Sequence, residues 1–460
     1  MVRLVAVAMT AVLVVFLAGP LLAQSVEQGH FAFVGPLDHV IAPGAHVAPV
    51  TRGLPFALTL KDGGASVSPA LFELKVPGAA GPLTLALDGL KFQSGRLTAK
   101  ASLRNATGSP AEGLRLDLVS AVETYAAKDD KGAAIVKTRP QPAHLASPLF
   151  FGDLASGEPS DALAFEAFPI AFGPETQQVV VSGVVSGLRH AGAFDVDGVQ
   201  APIAASFDAK GRLVIGDVTG QKGVRCDTHG KGVTTAFSVP DQIKAMAVDS
   251  KSGKTAVSIA NDGQVWLFSE AGTLDSKLGP ANGIDGYTDW LRYDRDGNFY
   301  AVIGWKLVEV KGGKLAAKHD IDELGTFDIA PDGSVYALKT SGSLLRLPAG
   351  LGSSAALASP GWRPGQLTNP TACRVDPGGN VYVGERTNNI EFARISVFDR
   401  NGAVIRVFGR GAKKPDPAAP EVYLPGQVFR PVDIAFGHDG RVYIVGERVN
   451  NAIVEIFEPF

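Results

Sequence analysis

Cysteine is nearly missing from this chain, with two residues in 460, Cys226 and Cys373. That scarcity excludes a disulfide-stapled scaffold and a thiolate-rich metal site. Histidine is sparse too, at eight residues, and no Gly-x-Ser-x-Gly, His-Glu-x-x-His or Cys-x-x-Cys motif occurs. Neither sign of charge dominates: the net charge is -3, whereas a nucleic-acid-binding surface would be strongly basic. No nucleic-acid partner is expected.

Long apolar runs are confined to one place. Arg3 supplies a positive start, and Leu4 to Leu22 is apolar except for Thr10, ending in Ala18-Gly-Pro-Leu-Leu-Ala-Gln. This pattern predicts a signal peptide over residues 1–23. A retained membrane anchor is the alternative; Pro20 and its small neighbours favour cleavage. The expected mature chain is secreted or periplasmic, with no stable membrane insertion.

Glycine and proline are abundant, at 54 and 30 residues, alongside many β-branched residues, which suits short strands and turns. Residues 24–66 show no clear period and read as a linker or loosely ordered segment. From 67 to 190 the text alternates with period two, as in Gly81-Pro-Leu-Thr-Leu-Ala-Leu-Asp and Arg96-Leu-Thr-Ala-Lys-Ala-Ser-Leu. About seven such strands suit an immunoglobulin-like β-sandwich. The Arg-Asn-Ala-Thr-Gly turn between strands resembles that of bacterial CARDB-like immunoglobulin domains. Asn105-Ala-Thr is also a glycosylation sequon, a minor signal in a chain of bacterial appearance.

From 195 to 460 a short unit recurs. Its copies begin at Phe207, Val248, Tyr293, Ile329, Val375 and Phe436, each an apolar strand end, a turn closed by glycine, and a second strand. A period near forty residues with several strands per unit predicts a β-propeller. The clearest copies, Val375-Asp-Pro-Gly-Gly-Asn-Val-Tyr-Val and Phe436-Gly-His-Asp-Gly-Arg-Val-Tyr-Ile, resemble NHL repeats, which implies a six-bladed ring. The expected fold is all-β: an immunoglobulin-like β-sandwich followed by a six-bladed NHL-type β-propeller. The last unit holds three strands of its own, so its fourth is expected from around Ala193-Phe-Asp-Val-Asp-Gly-Val. Cys373 and Cys226 fall on units that are not neighbours in such a ring, which predicts two free, buried thiols.

Two further copies of a motif, Gly384-Glu-Arg-Thr-Asn-Asn and Gly446-Glu-Arg-Val-Asn-Asn, follow the second strand of their units. Glu385, Arg386, Asn388, Asn389, Glu447, Arg448 and Asn450 are therefore candidate ligand-binding residues on one rim. The competing reading is that the glutamates pair with neighbouring arginines while the asparagines make the turn. Tyr287, Trp290, Trp362 and Arg363 lie on loops of the same rim, as do Lys413, Lys414 and Tyr423 of a long insertion; Trp290 and Trp362 could instead pack between units.

The leading expectation is an exported, non-enzymatic binding protein with a protein or peptide partner. The alternative is a metal-dependent hydrolase or lyase in the channel, because the resemblance implies relatives that hold zinc or calcium with histidines or inward acidic residues. Here the repeats carry His229, His319 and His438 in turns or outer strands. Asp289, Glu385, Asp433 and Glu447 are the candidate ligands should calcium bind; otherwise no cofactor is expected.

Overall fold

The computed structural model describes residues 53–61, 70–77, 79–93, 96–141, 144–145, 149–168, 175–361, 365–386, 393–409, 426–428, 430–448 and 451–459. The expected signal peptide, Trp362, Arg363, Asn388, Asn389, Asn450, Lys413, Lys414 and Tyr423 lie outside the described residues. The chain is all-β and divides into two units, residues 1–187 and 188–459. Among the described residues no helix is long and apolar enough to cross a membrane.

In the first unit one sheet orders the strands Ala70–Leu74, Leu83–Gln93, Arg96–Asn105, Leu163–Phe168 and His144–Leu145. A second group comprises Leu54–Lys61, Ala111–Lys128, Ala134–Gln141, Leu149–Leu154 and the start of the long strand Thr176–Val196. Leu85, Leu87, Leu97 and Leu103 from the first join Phe56, Leu58, Leu114 and Val181 from the second in one hydrophobic core. Period-two alternation produces this, because successive side chains leave a strand on opposite faces.

The strand Leu54–Lys61 falls inside the segment 24–66 that the sequence presents as a linker. It pairs antiparallel with Gln178–Val185 along its whole length. Its Leu54, Phe56, Leu58 and Leu60 are buried, a four-residue alternation that the surrounding Gly- and Pro-rich text obscures. The sequon asparagine is buried as well. Its Nδ2 donates to the carbonyls of Ser109 and Leu154, and its Oδ1 accepts from Thr107 N. Asn105 thus organises the turn from the inside.

The second unit is a propeller of six sheets, each built on four antiparallel strands; the fourth adds a short fifth strand, Gln366–Leu367, parallel to Ala355–Pro360. Their first strands are Pro202–Phe207, Ile243–Val248, Thr288–Tyr293, Leu324–Ile329, Pro370–Val375 and Pro431–Phe436. Each of these touches the next, and the sixth touches the first, so they form a closed inner ring. Apolar side chains fill the space between neighbouring sheets, as where Ala204 and Val214 of the first meet Ile243, Met246 and Val257 of the second. Radial repetition leaves each sheet only short edges, the inner ones gathered around the channel.

The sixth sheet draws its fourth strand from the start of the unit. Leu188–Val196 pairs antiparallel with Ala452–Pro459, as the strand count of the last repeat requires. The unit therefore begins at Leu188, earlier than the 195 suggested by the repeats, because Leu188, Arg189 and His190 already belong to that pairing. His190 Nε2 meets Glu455 Oε2 at 2.5 Å within it.

The repeated turn has a common construction. Asp208 Oδ1 accepts from the backbone N–H groups of Lys210 and Arg212, and Asp294 Oδ1 does the same for Asp296 and Asn298. Gly211 and Gly297 close these turns at φ of 71° and 81°, a region that a Cβ disfavours. Cys226 and Cys373 are buried and unbridged.

Candidate functional site: a charged floor at the channel mouth

The last residue of each inner strand is apolar: Phe207, Val248, Tyr293, Ile329, Val375 and Phe436. One position earlier stand Ser206, Ala247, Arg292, Asp328, Arg374 and Ala435. All twelve line one cavity of about 470 Å³ at the end of the ring where the glycine-closed turns lie. The equivalence is topological, since each sheet contributes the same register position. Six apolar residues make a collar, and beneath it the floor is divided. Sheets three, four and five supply two arginines and an aspartate, while sheets six, one and two supply only small side chains.

Asp433, from the sixth inner strand, completes the charged set. Arg374 donates to it twice, Nε to Oδ1 at 2.9 Å and Nη2 to Oδ2 at 2.7 Å. Arg374 Nη2 also donates to the carbonyl of Ala205, and Asp433 Oδ2 accepts from Ala205 N at 3.0 Å. Arg292 is only 2% exposed. It donates through Nη1 to the Leu291 carbonyl and lies 3.5 Å from Asp433 Oδ1 through Nη2. Its Nε has no hydrogen-bond partner among the described residues and sits 3.6 Å from Asp328 Oδ1. Asp328 Oδ2 accepts from Val375 N at 2.7 Å.

The two carboxylates titrate in opposite directions. Burial pushes Asp328 above the usual carboxylate value, and its more distant arginines only partly compensate. Burial acts on Asp433 as well, but Arg374 and Arg292 and the bonds from Arg374 and Ala205 N outweigh it and hold the group low. Burial lowers Arg292, with Arg374 adding repulsion, whereas Asp433 raises Arg374 against its own burial. Asp328 is thus the group whose charge is least compensated.

Of the acidic residues that the sequence offered as metal ligands, only Asp433 reaches this cluster, and there it serves two arginines. Glu385 is 1% exposed and is held by Arg394 Nε at 2.8 Å, Arg394 Nη2 at 3.0 Å, Ser396 Oγ and Thr368 N. Glu447 pairs with Arg386 at 3.3 Å, from the sixth sheet to the fifth. Asp289 is exposed. Among the described residues no group of three or more His, Cys, Asp or Glu side chains could hold a metal ion.

The Glu-Arg-x-Asn-Asn rim lies at the other end of the inner strands. Pro370 pairs with Glu385, whereas Val375, at the cavity, pairs with Val381. On that far rim Tyr287 is 59% exposed. Trp290 is half-buried, packed against a cluster that spans sheets three and four, with the Arg292 guanidinium 5.7 Å from its ring centroid. Arg292, Asp328 and Arg374 were not singled out by sequence reasoning, although each is the residue directly before a copy of the repeat.

No family model and no curated protein matches the chain. Solved structures show distant likeness. A streptogramin B lyase is 14% identical over 59% of this chain and 98% of its own, with a TM-score of 0.43. The virginiamycin B lyase of Staphylococcus aureus is 14% identical over 60% and 88%, with a TM-score of 0.41. The hydrazine synthase of Kuenenia stuttgartiensis is 14% identical over 55% and 78%, with a TM-score of 0.39. Resemblance this remote carries nothing about the chemistry of the present chain.

Proposed function

We propose that this chain is an exported, non-enzymatic binding protein, in which an immunoglobulin-like module precedes a six-bladed NHL-type propeller that captures its ligand at the channel mouth. One observation carries this reading: a cavity of about 470 Å³ whose lining combines an apolar collar with buried Arg292, Asp328 and Arg374. Ligand sites in general are concave, largely apolar and equipped with a few fixed polar groups, within roughly 300–1,000 Å³. The floor is rigidly built, since Arg374 and Asp433 tie three inner strands together through the bonds to Ala205. A preformed floor loses little conformational freedom on binding.

The far rim fits this reading as scaffold. Glu385 and Glu447 are occupied by Arg394 and Arg386, so the duplicated motif clamps sheets. The cavity's size suits a short peptide or a smaller molecule of the same chemistry.

One observation favours a second reading, an enzyme working from the channel. Asp328 is a buried carboxylate raised in pKa beside a cavity, which is how a proton acceptor is poised.

Thermal-shift screening of small polar compounds and short peptides tests the binding reading, with every hit repeated on Ser206→Phe, which fills the open side of the floor. Hits lost in that variant support the cavity. Hits that survive it, with the melting transition unchanged, place the site elsewhere. Release of a modified product from a hit would move the enzyme reading ahead.

A further inference from the structure

We propose that the cavity recognises a zwitterion: a free α-amino acid with an apolar side chain, its ammonium on Asp328 and its carboxylate on Arg374. This rests on the reading of the cavity as a ligand site.

The argument begins with the open valences of the floor. Arg374 commits Nε and Nη2 to Asp433 and Ala205. Its Nη1 stands 4.0 Å from Asp328 Oδ1, beyond hydrogen-bond reach. Asp328 commits Oδ2 to Val375 N, and its Oδ1 has Arg292 Nε at 3.6 Å as its nearer cation. Each side chain keeps a small edge uncovered, 12% for Arg374 and 11% for Asp328, and both line the cavity. One cationic donor and one anionic acceptor therefore face the same space, side by side.

Charge then selects the ligand. The floor holds two cations and two anions, so an isolated carboxylate would approach Arg374 against the repulsion of Asp328. An isolated amine would meet both arginines. Uncompensated charge in a partly desolvated site is costly. A molecule whose ammonium and carboxylate are separated by a single carbon meets both groups at once. It also gives a counter-ion to the member of the cluster whose charge is least compensated, Asp328, raised by burial and 11% exposed to the cavity.

Most of the remaining side chains that line the cavity are apolar, with Ser206, Ser250 and His438 as the polar exceptions. The collar of Phe207, Val248, Tyr293, Ile329, Val375 and Phe436 surrounds the floor. The side chain projecting from the α-carbon would lie against it, over the open half left by Ser206, Ala247 and Ala435. Burial of such a side chain is expected to contribute about tenfold to a hundredfold in affinity.

Calorimetric titration of the purified mature chain tests this with leucine, valine and phenylalanine. The controls are leucinamide, which lacks the carboxylate, and N-acetyl-leucine, which lacks the ammonium. The expected result is binding of at least one free amino acid, with more than tenfold weakening in both blocked compounds. In Asp328→Asn the free amino acid should weaken at least tenfold while N-acetyl-leucine does not. A blocked compound that binds as well as the free one overturns the zwitterion. So does the absence of binding by all three amino acids. In both cases the cavity reading survives if other ligands are lost in Ser206→Phe, and it falls separately if ligands bind that variant unchanged.

Discussion

Arg374 and Asp433 face each other from adjacent inner strands through two parallel hydrogen bonds of 2.9 and 2.7 Å. The bonds from Asp433 and Arg374 to Ala205 carry the same contact into the first sheet. Both charges are deeply buried, so removing one leaves the other without its counter-ion. Asp433→Ala is expected to cost about 3–5 kcal/mol, read as a fall in the denaturant midpoint at unchanged slope. Loss of less than about 1 kcal/mol would mean that the fork contributes little to holding the ring.

The duplicated glutamates should separate in the same assay. Glu385 is buried in a fork from Arg394, whereas Glu447 and Arg386 are each more than one-third exposed. Glu385→Ala is expected to destabilise by about 3 kcal/mol and Glu447→Ala by no more than about 1 kcal/mol. Equal costs would contradict the burial difference.

Acid should affect the two floor aspartates oppositely. The folded value of Asp328 is raised above that of the unfolded chain, so its ionised form costs stability at neutral pH. That cost disappears as pH falls through the raised value toward the ordinary carboxylate range near ~4. Asp433 is lowered, so its contribution persists to more acidic pH and is lost only below that range. Melting curves between neutral and mildly acidic pH should show wild type gaining on Asp328→Asn. A constant difference between them would contradict the raised value.

The thiols should be silent in the folded chain. Burial pushes Cys226 up to about 12 and Cys373 also well upward, and the thiolate is the reactive form. Neither is expected to react with a thiol reagent at pH 8 until denaturant is added. Rapid native labelling of one equivalent would show that its sheet opens.

Removing residues 451–460 deletes the strand Asn451–Pro459, which joins the sixth sheet to Leu188–Val196. The propeller is expected to lose its cooperative melting transition. An unchanged transition would mean that closure is dispensable.

The propeller was legible because each turn carries an aspartate and closes on a glycine within four or five residues of the strand end, and those recur in the text whatever surrounds them. The closing strand was legible from the missing fourth member of the last repeat. The floor was not. Ser206, Ala247, Arg292, Asp328, Arg374 and Ala435 share a position and no chemistry, so a search for recurring residues passes over them. Tracking the residue before each repeat would have exposed them as the variable position of a constant frame. Glu385 and Glu447 had the opposite fault: their identity repeats, yet the nearby Arg394 gives the first a buried role that spacing alone does not reveal.

The pairing of Leu188–Val196 with the C-terminal strand also sets a timetable. Arg189 meets Glu458, 269 residues later. At a synthesis rate of roughly 5–20 residues per second, the early strand waits tens of seconds for its partner. Throughout that interval it is an unsatisfied edge, able to recruit another nascent chain. Export before folding would shelter it, and a chain released too early would be expected to exchange this strand with a sister copy rather than remain open.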